Sequence, residues 1–178
     1  MSAFARRGRS AQLAHALEQR LHVARGDRVA TFAWNSQRHL ELYYGVSGSG
    51  AVLHTINPRL FAAQIAYVVN HARDRFVFVD PDLVPVLEPL AAQLSSVEGY
   101  VVLCDAAAMP ATSLPNAVAY ESLIAGMPDD IEWPELDERS VRLRAKIVWH
   151  DNVQHQGRKV WRYGMRFVGI PADDWDAI

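Results

Sequence analysis

Apolar residues follow two different spacings in the first 125 positions. In several segments they recur every three or four residues, as Leu13, Leu17 and Leu21 do, which is the period of one helix face. Short apolar runs of strand length lie between these segments. The pattern predicts helices over Ala5–Leu21, Ser36–Tyr44, Leu60–His71, Leu83–Leu94 and Tyr120–Ile124, and strands over Arg28–Phe32, Ala51–Ile56, Arg75–Val79 and Tyr100–Cys104. Short apolar strands that alternate with helices predict an α/β fold with a partial doubly wound, mainly parallel sheet and flanking helices.

In two segments between residues 141 and 168, apolar residues recur at every second position instead. In Val141–Trp149 and in Val160–Val168, apolar and basic residues alternate, which is the pattern of a half-buried strand. The polar stretch 150–158 separates the two segments, and Pro171 followed by acidic residues has the composition of a helix start. These residues predict a small antiparallel β-hairpin followed by a short helix.

Charge is distributed unevenly along the chain. Residues 80–138 carry twelve acidic residues and no Lys or Arg, whereas residues 139–178 carry eight basic residues and four acidic ones. A change this abrupt predicts a domain boundary. We therefore divide the chain into an α/β unit over 1–126, an acidic, proline-containing linker over 127–140 and a β-hairpin/helix tail over 141–178. A single fold with one acidic face is the alternative.

The composition excludes several classes of protein. A net charge of −2 argues against a globally basic nucleic-acid binder, and the single cysteine, Cys104, excludes a disulfide framework and a cysteine-based zinc site. The longest uncharged run near the front, Leu42–Pro58, is too short and too polar to span a bilayer. The amino-terminal segment has no apolar stretch of the kind that signal peptides carry, so the expected location is the cytoplasm.

Motifs that would carry chemistry are few. Gly45, Gly48 and Gly50 are spaced as GxxGxG and follow a helix, whereas a phosphate-binding loop follows a strand and opens a helix. We interpret them as a helix-to-strand connection; a ligand-facing loop is the alternative. The seven histidines show neither HxxxH nor HxH spacing, so no metal site is predicted. No nucleophile motif is present, and no catalytic residue is assigned.

A long stretch of the chain resembles a known family of enzymes. The stretch contains Asp27-Arg28-Val29-Ala30, Trp34-Asn35, Arg38-His39-Leu40-Glu41, Gly50-Ala51-Val52, Asn57-Pro58-Arg59-Leu60 and Tyr67 to His71. From about Phe4 to about Ser140, it is similar to the N-terminal subdomain of AMP-forming acyl-CoA synthetases, in the fatty-acid–CoA ligase branch of the adenylating superfamily. The resemblance implies ATP-dependent activation of a fatty acid to an acyl-adenylate, followed by transfer to CoA. It also implies that the full-length family requires ATP, Mg²⁺ and CoA.

The chain departs from that family after Ser140. The Ser/Thr/Gly-rich phosphate loop ending in Pro-Lys-Gly is absent, as are the aromatic-Thr-Glu motif, the ribose-binding Asp and the domain with the catalytic lysine. In the family these groups hold the triphosphate and stabilise its charge in the transition state. We therefore expect a truncated ligase that binds no cofactor alone and is inactive alone. Its expected partner is the remainder of a ligase or a second copy of itself.

The tail has a second, shorter resemblance. The segments Ala145–Trp149 and Tyr163–Ile170, followed by an acidic helix, are similar to the second half of a PilZ domain. This resemblance implies a cyclic di-GMP-binding or regulatory module, although the family's RxxxR segment and DxSxxG strand do not occur where they are expected. A non-catalytic interaction domain is a further alternative, because a sheet that lacks its neighbours exposes apolar surface.

Two groups of residues are candidates for ligand binding. The first lies near the carboxyl ends of predicted strands, where doubly wound sheets bind ligands; it consists of Trp34, Asn35, His54 and Asn57. For His54, a satisfied histidine in the core or at its rim is the alternative. The second lies on one face of the tail hairpin and suits anions such as phosphates; it consists of Arg142, Arg144, Arg162 and Arg166. For these arginines, an ordinary solvated face is the alternative.

Overall fold

The computed structural model describes residues 3–136, 145–155 and 158–167, which fall into two units, 1–135 and 136–178. The helices of the first unit are α1 (Ala3–Gln19), α2 (Gln37–Gly48), α3 (Ala62–Ala72), α4 (Val84–Leu87) and α5 (Tyr120–Ile124). Its strands are β1 (Arg28–Phe32), β2 (Val52–Thr55), β3 (Phe76–Val79), β4 (Gly99–Val102) and β5 (Ala117–Ala119). No helix in these described residues is long and apolar enough to cross a membrane.

The five strands form one parallel sheet in the order β2-β1-β3-β4-β5. The predicted α/β class and the mainly parallel sheet are therefore confirmed. The prediction missed β5, which pairs with β4 and lies between the predicted strand Tyr100–Cys104 and the predicted helix Tyr120–Ile124. A strand of three residues is too short to give a periodic signal, so only its pairing identifies it.

Both faces of the sheet are buried under helices. Val29 and Phe78 belong to the core beneath α1, α2 and α5, whereas Ala30 and Val77 belong to the core beneath α3 and α4. Neighbouring residues of one strand thus point into different cores. All four residues of β3 are buried, as the continuous apolar run of that strand predicted.

Helix α2 continues through two of the glycines that the sequence predicted as a break. It begins after Ser36, whose side chain accepts the backbone N–H of His39. A Cβ on Gly45 would lie 2.6 Å from Leu13 Cδ2, and one on Gly48 would lie 2.6 Å from Trp133 Cζ3. The predicted helix end at Tyr44 is therefore wrong, because close packing outweighs the cost of about 1 kcal/mol that a helical glycine carries.

The single helix predicted over Leu83–Leu94 is also wrong. Two 3₁₀ helices, Pro81–Leu83 and Glu88–Gln93, flank the one turn of α4. Pro85 and Pro89 have no backbone N–H for the α-helical hydrogen bond, so a regular helix cannot form across them. The leucines of this segment reach the core all the same, through Leu83, Leu87, Leu90 and Leu94.

Residues 127–133, which begin the predicted linker, lie against α1 and α2; we call them the 127–133 strap. Gln12 Nε2 donates to the carbonyl of Met127 at 3.2 Å, and His15 Nε2 lies 3.0 Å from the carbonyl oxygen of Asp130. Trp133 packs against Gly48, while the acidic residues of the strap are exposed to solvent. The predicted domain boundaries themselves stay a prediction.

The second unit contains the antiparallel strands β6 (Ala145–His155) and β7 (Arg158–Phe167). They extend into the polar stretch 150–158 that separates the two predicted strands, and their register shifts between Ile147 and Trp149. Arg162 and Arg166 lie in β7. The other two tail arginines, Arg142 and Arg144, and the helix predicted from Pro171, lie outside the described residues.

Candidate functional site

The strand order creates a switch point between β1 and β3. From β1 the chain passes through α2 to β2 at one edge of the sheet, and then through α3 to β3 on the opposite side of β1. Ligands of open parallel sheets bind at the carboxyl ends of the strands at such a point. The residues that follow β1 and β3 are Trp34 and Asp80, and Asn57 follows β2. We call this region, with Arg59 and Asp82, the switch-point edge.

Trp34 is held at both its backbone and its side chain. Its backbone N–H donates to Asp80 Oδ2 at 2.7 Å, and its indole Nε1–H donates to Asp82 Oδ2 at 2.9 Å. The guanidinium of Arg59 lies over the indole ring, 5.8 Å from its centroid, which is cation–π geometry. Trp34 is nevertheless 40% exposed. The switch-point edge therefore presents an ordered aromatic surface beside a cation.

Arg59 is exposed at this edge. In the part of the chain whose side chains are described, it forms no ion pair, and its guanidinium contacts the ring of Trp34. Asn57 positions it, because Asn57 Oδ1 accepts the backbone N–H of Arg59 at 3.0 Å and closes a local turn. Asn35 is exposed on the loop that carries Trp34. The structure thus brings three of the four predicted residues, Trp34, Asn35 and Asn57, to the same edge of the sheet.

Asp80 is the buried acid of the switch-point edge. Desolvation raises the pKa of its carboxyl, while the hydrogen bond from the Trp34 N–H and the nearby positive groups lower it. The hydrogen bond that its side chain accepts from the Trp34 N–H holds the loop after β1 against the loop after β3. Asp80 and Asp82 did not emerge from the sequence as site residues. The signal that marks them is their place just after a buried strand: Asp80 directly follows β3, and Asp82 lies two residues later.

His54 is the fourth predicted residue, and its side chain faces Asp74 instead of the switch-point edge. Its Nδ1 lies 2.8 Å from Oδ2 of Asp74, a fully buried carboxylate that precedes β3 and so lies toward the amino ends of the strands. The hydrogen bond with Asp74 raises the pKa of His54 against the opposing effect of burial. Desolvation raises the pKa of Asp74. The structure therefore does not bring His54 together with Trp34.

Behind the edge, a network of ion pairs joins α1, α2 and α5. Glu41, only 1% exposed, accepts from Arg9 Nε at 2.8 Å and from the Tyr120 hydroxyl at 2.9 Å. Arg9 also binds both carboxylate oxygens of Glu121, at 2.7 and 3.1 Å. Arg38 donates to Glu121 as well and reaches Asp105 after β4. Because the partners are far apart in sequence, no local pattern predicted this network.

A family model described as AMP-binding enzyme matches residues 7–145 of the chain. The chain belongs to the AMP-binding enzyme family. The chain is 43% identical over 130 residues to the medium-chain-fatty-acid–CoA ligase of Ectopseudomonas oleovorans, covering 73% of the chain and 24% of that relative. It is 45% identical over 118 residues to the 3-methylmercaptopropionyl-CoA ligase of Ruegeria pomeroyi, covering 66% of the chain and 22% of that relative. The chain thus spans about a quarter of the length of these relatives.

Solved structures show the same fold. The chain superposes with a TM-score of 0.65 and 22% identity on the anthranilate CoA ligase AuaEII in complex with anthranoyl-AMP, over 72% of this chain and 24% of that one. For the fatty acyl CoA synthetase of Mycobacterium tuberculosis, the TM-score is 0.59 at 23% identity, over 76% and 24%. The predicted resemblance to acyl-CoA ligases is confirmed at the level of family and fold. The resemblance of the tail to a PilZ domain receives no support from these comparisons.

The described residues bring together no group of three or more His, Cys, Asp or Glu that suits a metal ion. At the switch-point edge, one oxygen of Asp80 and one of Asp82 already accept N–H groups of Trp34. The described residues therefore do not fit the Mg²⁺ that the family resemblance implies. What the edge offers instead is an exposed indole and an unpaired guanidinium, which suit a base and a phosphate.

Proposed function

We propose that the chain supplies the N-terminal subdomain of an ATP-dependent fatty-acid–CoA ligase. The match of residues 7–145 to the AMP-binding enzyme family carries this proposal, together with its identity to ligases of medium-chain and sulfur-containing acids. In the proposed reaction the carboxylate attacks the α-phosphate of ATP, giving acyl-AMP and pyrophosphate. The thiol of CoA then displaces AMP and forms the thioester.

Within that reaction, the role proposed for the switch-point edge is to bind a nucleotide substrate. ATP and CoA both carry an adenine ring and phosphates, which match the exposed ring of Trp34 and the unpaired charge of Arg59. Base stacking on an aromatic ring contributes about 1–3 kcal/mol, so Trp34 has enough surface to contribute to binding. Hydrogen bonds from Trp34 to Asp80 and Asp82 keep that surface ordered before a ligand arrives.

By itself, the chain of 178 residues is proposed to be inactive. Its sequence contains no Ser/Thr/Gly-rich loop for the triphosphate, and the described residues do not fit Mg²⁺. Without groups that meet the developing charge on the phosphates, binding surfaces alone do not lower the reaction barrier. We expect no ATP–pyrophosphate exchange by the purified chain with fatty acids of medium or long chain length.

A chimeric ligase tests the proposed function directly. Residues 7–136 replace the matching segment of the medium-chain-fatty-acid–CoA ligase of Ectopseudomonas oleovorans, and formation of acyl-CoA is measured. We expect the chimera to be active with medium-chain acids, and the unmodified ligase is the control. A chimera that folds, as judged by its circular dichroism and thermal unfolding, but forms no acyl-CoA would count against the proposal.

The same chimera tests the nucleotide role of Arg59. Arg59→Gln removes the charge and keeps most of the side-chain length, so we expect the KM for ATP or for CoA to rise about tenfold. Separate titration of ATP and of CoA shows which substrate contacts the edge. Arg25→Gln is the matched control, because Arg25 is an exposed arginine outside the switch-point edge. Unchanged KM values for both substrates in Arg59→Gln would exclude this role.

Cyclic di-GMP binding by the tail is the second candidate function. It rests on the alternation of basic and apolar residues in the tail, where Arg162 and Arg166 lie in β7. Calorimetry of the full chain with cyclic di-GMP at moderate salt tests it, with Arg162→Gln/Arg166→Gln as the comparison. Absence of heat at high ligand concentration would rule out this function.

A further inference from the structure

His39 connects the end of strand β1 to the loop that carries Trp34. The side chain is buried, with 6% exposure, and both of its ring nitrogens are 3.0 Å from a partner. Nδ1 faces the carbonyl oxygen of Trp34, and Nε2 faces the hydroxyl of Thr31, which is fully buried in β1. The ring also packs against Tyr43 at 5.1 Å between centroids. The imidazole therefore spans from the sheet to the switch-point edge.

The two partners dictate where the ring proton is. A carbonyl oxygen only accepts hydrogen bonds, so Nδ1 must carry the proton and donate it to Trp34. In the neutral ring, Nε2 is then the acceptor, and the hydroxyl of Thr31 donates to it. Trp34 is thus held at its carbonyl by His39 and at its N–H by Asp80, on either side of the same residue.

We propose that His39 is a positioning residue, whose Nδ1–H tautomer fixes Trp34 in the orientation that the switch-point edge needs. Without this bond the Trp34 carbonyl loses the partner that the described residues give it, and Trp34 keeps the bonds of its backbone N–H and indole N–H to Asp80 and Asp82. We expect the indole then to shift from its place beside Arg59. The consequence for nucleotide binding rests on the proposed function, whereas the position of Trp34 does not.

Nuclear magnetic resonance of the full ¹⁵N-labelled chain tests the positioning role without any activity. The ring nitrogens of His39 should show the Nδ1–H tautomer at about pH 8.5. The indole N–H of Trp34, assigned with Trp34→Phe, should shift and exchange faster with solvent in His39→Phe. In His39→Asn it should return toward its original position, because the amide N–H₂ group replaces the Nδ1–H donor. An Nε2–H tautomer, which needs no variant to observe, would overturn the proposal.

Two controls keep this test specific. His71→Phe replaces an exposed histidine that stacks on Tyr67, and it should leave the Trp34 signal unchanged. The indole signal of Trp133, which packs on Gly48, reports whether each variant is folded. A folded His39→Phe variant with an unchanged Trp34 signal would also overturn the positioning role.

Kinetics of the chimeric ligase separate the two levels of the proposal. His39→Phe should raise the KM of the nucleotide substrate at least about tenfold and change kcat less than about twofold, and His39→Asn should restore most of the loss. If Trp34 moves in the spectra but the KM is unchanged, the positioning role stands and the proposed nucleotide site is wrong. If the KM rises while the Trp34 signal does not move, His39 does not act through Trp34, and the positioning role is wrong.

Discussion

His39 and His54 are two histidines beside the same sheet, and their partners give them different roles. His39 meets a carbonyl and a hydroxyl, which fix its tautomer, whereas His54 meets the buried carboxylate of Asp74. The second oxygen of Asp74 has no hydrogen-bond partner among the described residues. His54, and to a smaller extent the charge of Arg28, favours the ionised form of Asp74 against desolvation. The pair of His54 and Asp74 joins the edge strand β2 to the turn before β3.

The His54–Asp74 pair is expected to make the stability of the fold depend on pH. The pKa of His54 lies above its ordinary value of 6.5, so the folded state binds the proton more tightly than the unfolded chain does. The resulting stability is fully present below about pH 6.5 and is lost as the pH rises through the folded-state pKa. The raised pKa of Asp74 acts in the same direction over a more acidic range.

His54→Gln is the variant that tests this coupling. We expect it to lower the free energy of unfolding by about 1–3 kcal/mol at about pH 6, because a buried carboxylate loses its partner, and by less at about pH 8. Urea unfolding at both pH values measures the effect. His71→Gln, at an exposed position, is the control. A pH dependence of stability that is identical in His54→Gln and the original chain would refute the prediction.

At the scale of elements, small residues set how closely helices and the strap approach one another. Gly45 lets α2 approach Leu13 of α1, and Gly48 lets the 127–133 strap place Trp133 against the end of α2. Ion pairs of Arg9 with Glu41 and Glu121 then join α1, α2 and α5 over the same face of the sheet. Close packing and ion pairs thus both hold these helices on the same face of the sheet.

Gly48→Ala tests the contact between α2 and the strap. A Cβ at this position overlaps the ring of Trp133, so we expect the variant to be destabilised by about 1 kcal/mol. In a Trp133→Ala background the overlap is gone, and the higher helix propensity of alanine should make the same substitution stabilising by up to about 1 kcal/mol. Urea unfolding of the four proteins of this cycle measures both values. The same sign in both backgrounds would contradict the packing argument.

Tyr120→Phe tests the ion-pair network. The variant removes only the hydroxyl that donates to the buried Glu41, so we expect it to lower the free energy of unfolding by about 1–3 kcal/mol. Tyr67→Phe is the matched control, because Tyr67 is 66% exposed and should change stability by less than about 0.5 kcal/mol. Chemical denaturation compares the two. Equal effects of the two variants would show that the bond to Glu41 contributes nothing to stability.

For the whole molecule, the decisive feature is a sheet covered on both faces by residues of the first unit. Among the described residues, the buried residues of both cores lie between positions 13 and 124. The 127–133 strap packs against α1 and α2. A domain has its own hydrophobic core and can in principle fold alone. The family match covers the same residues, so the fold and the family assignment rest on one part of the chain.

A chain cut after Leu136 tests this independence. We expect residues 1–136 to fold, with a free energy of unfolding within about 1 kcal/mol of that of the full chain, because neither core loses a described residue. Far-ultraviolet circular dichroism and urea unfolding make the comparison. The matched control is a cut after Met109, which removes β5 and α5 and should prevent cooperative unfolding. A truncated 1–136 chain that does not fold would show that the first unit depends on later residues.

The sequence alone determined the α/β class, four of the five strands of the sheet and the family resemblance. These features depend on the local spacing of apolar residues and on runs of residues that match the family. Neither depends on how the chain folds in three dimensions. Three of the four predicted edge residues follow β1 and β2 for the same reason: strand ends are visible in the sequence, and parallel strands end together.

Only the tertiary structure decided which residues contact one another across different elements. Several contacts depend on residues that come together from different elements. They are the pair of His54 and Asp74, the packing that lets α2 continue through Gly45, and the bonds of Asp80 and Asp82 to Trp34. Strand β5 exists through its pairing with β4, and Glu41 is stable when buried because Arg9 and Tyr120 reach it from other helices. Local patterns encode which face of an element is apolar, but a hydrogen bond or a close contact between distant residues forms only when the sheet has fixed the position of every helix.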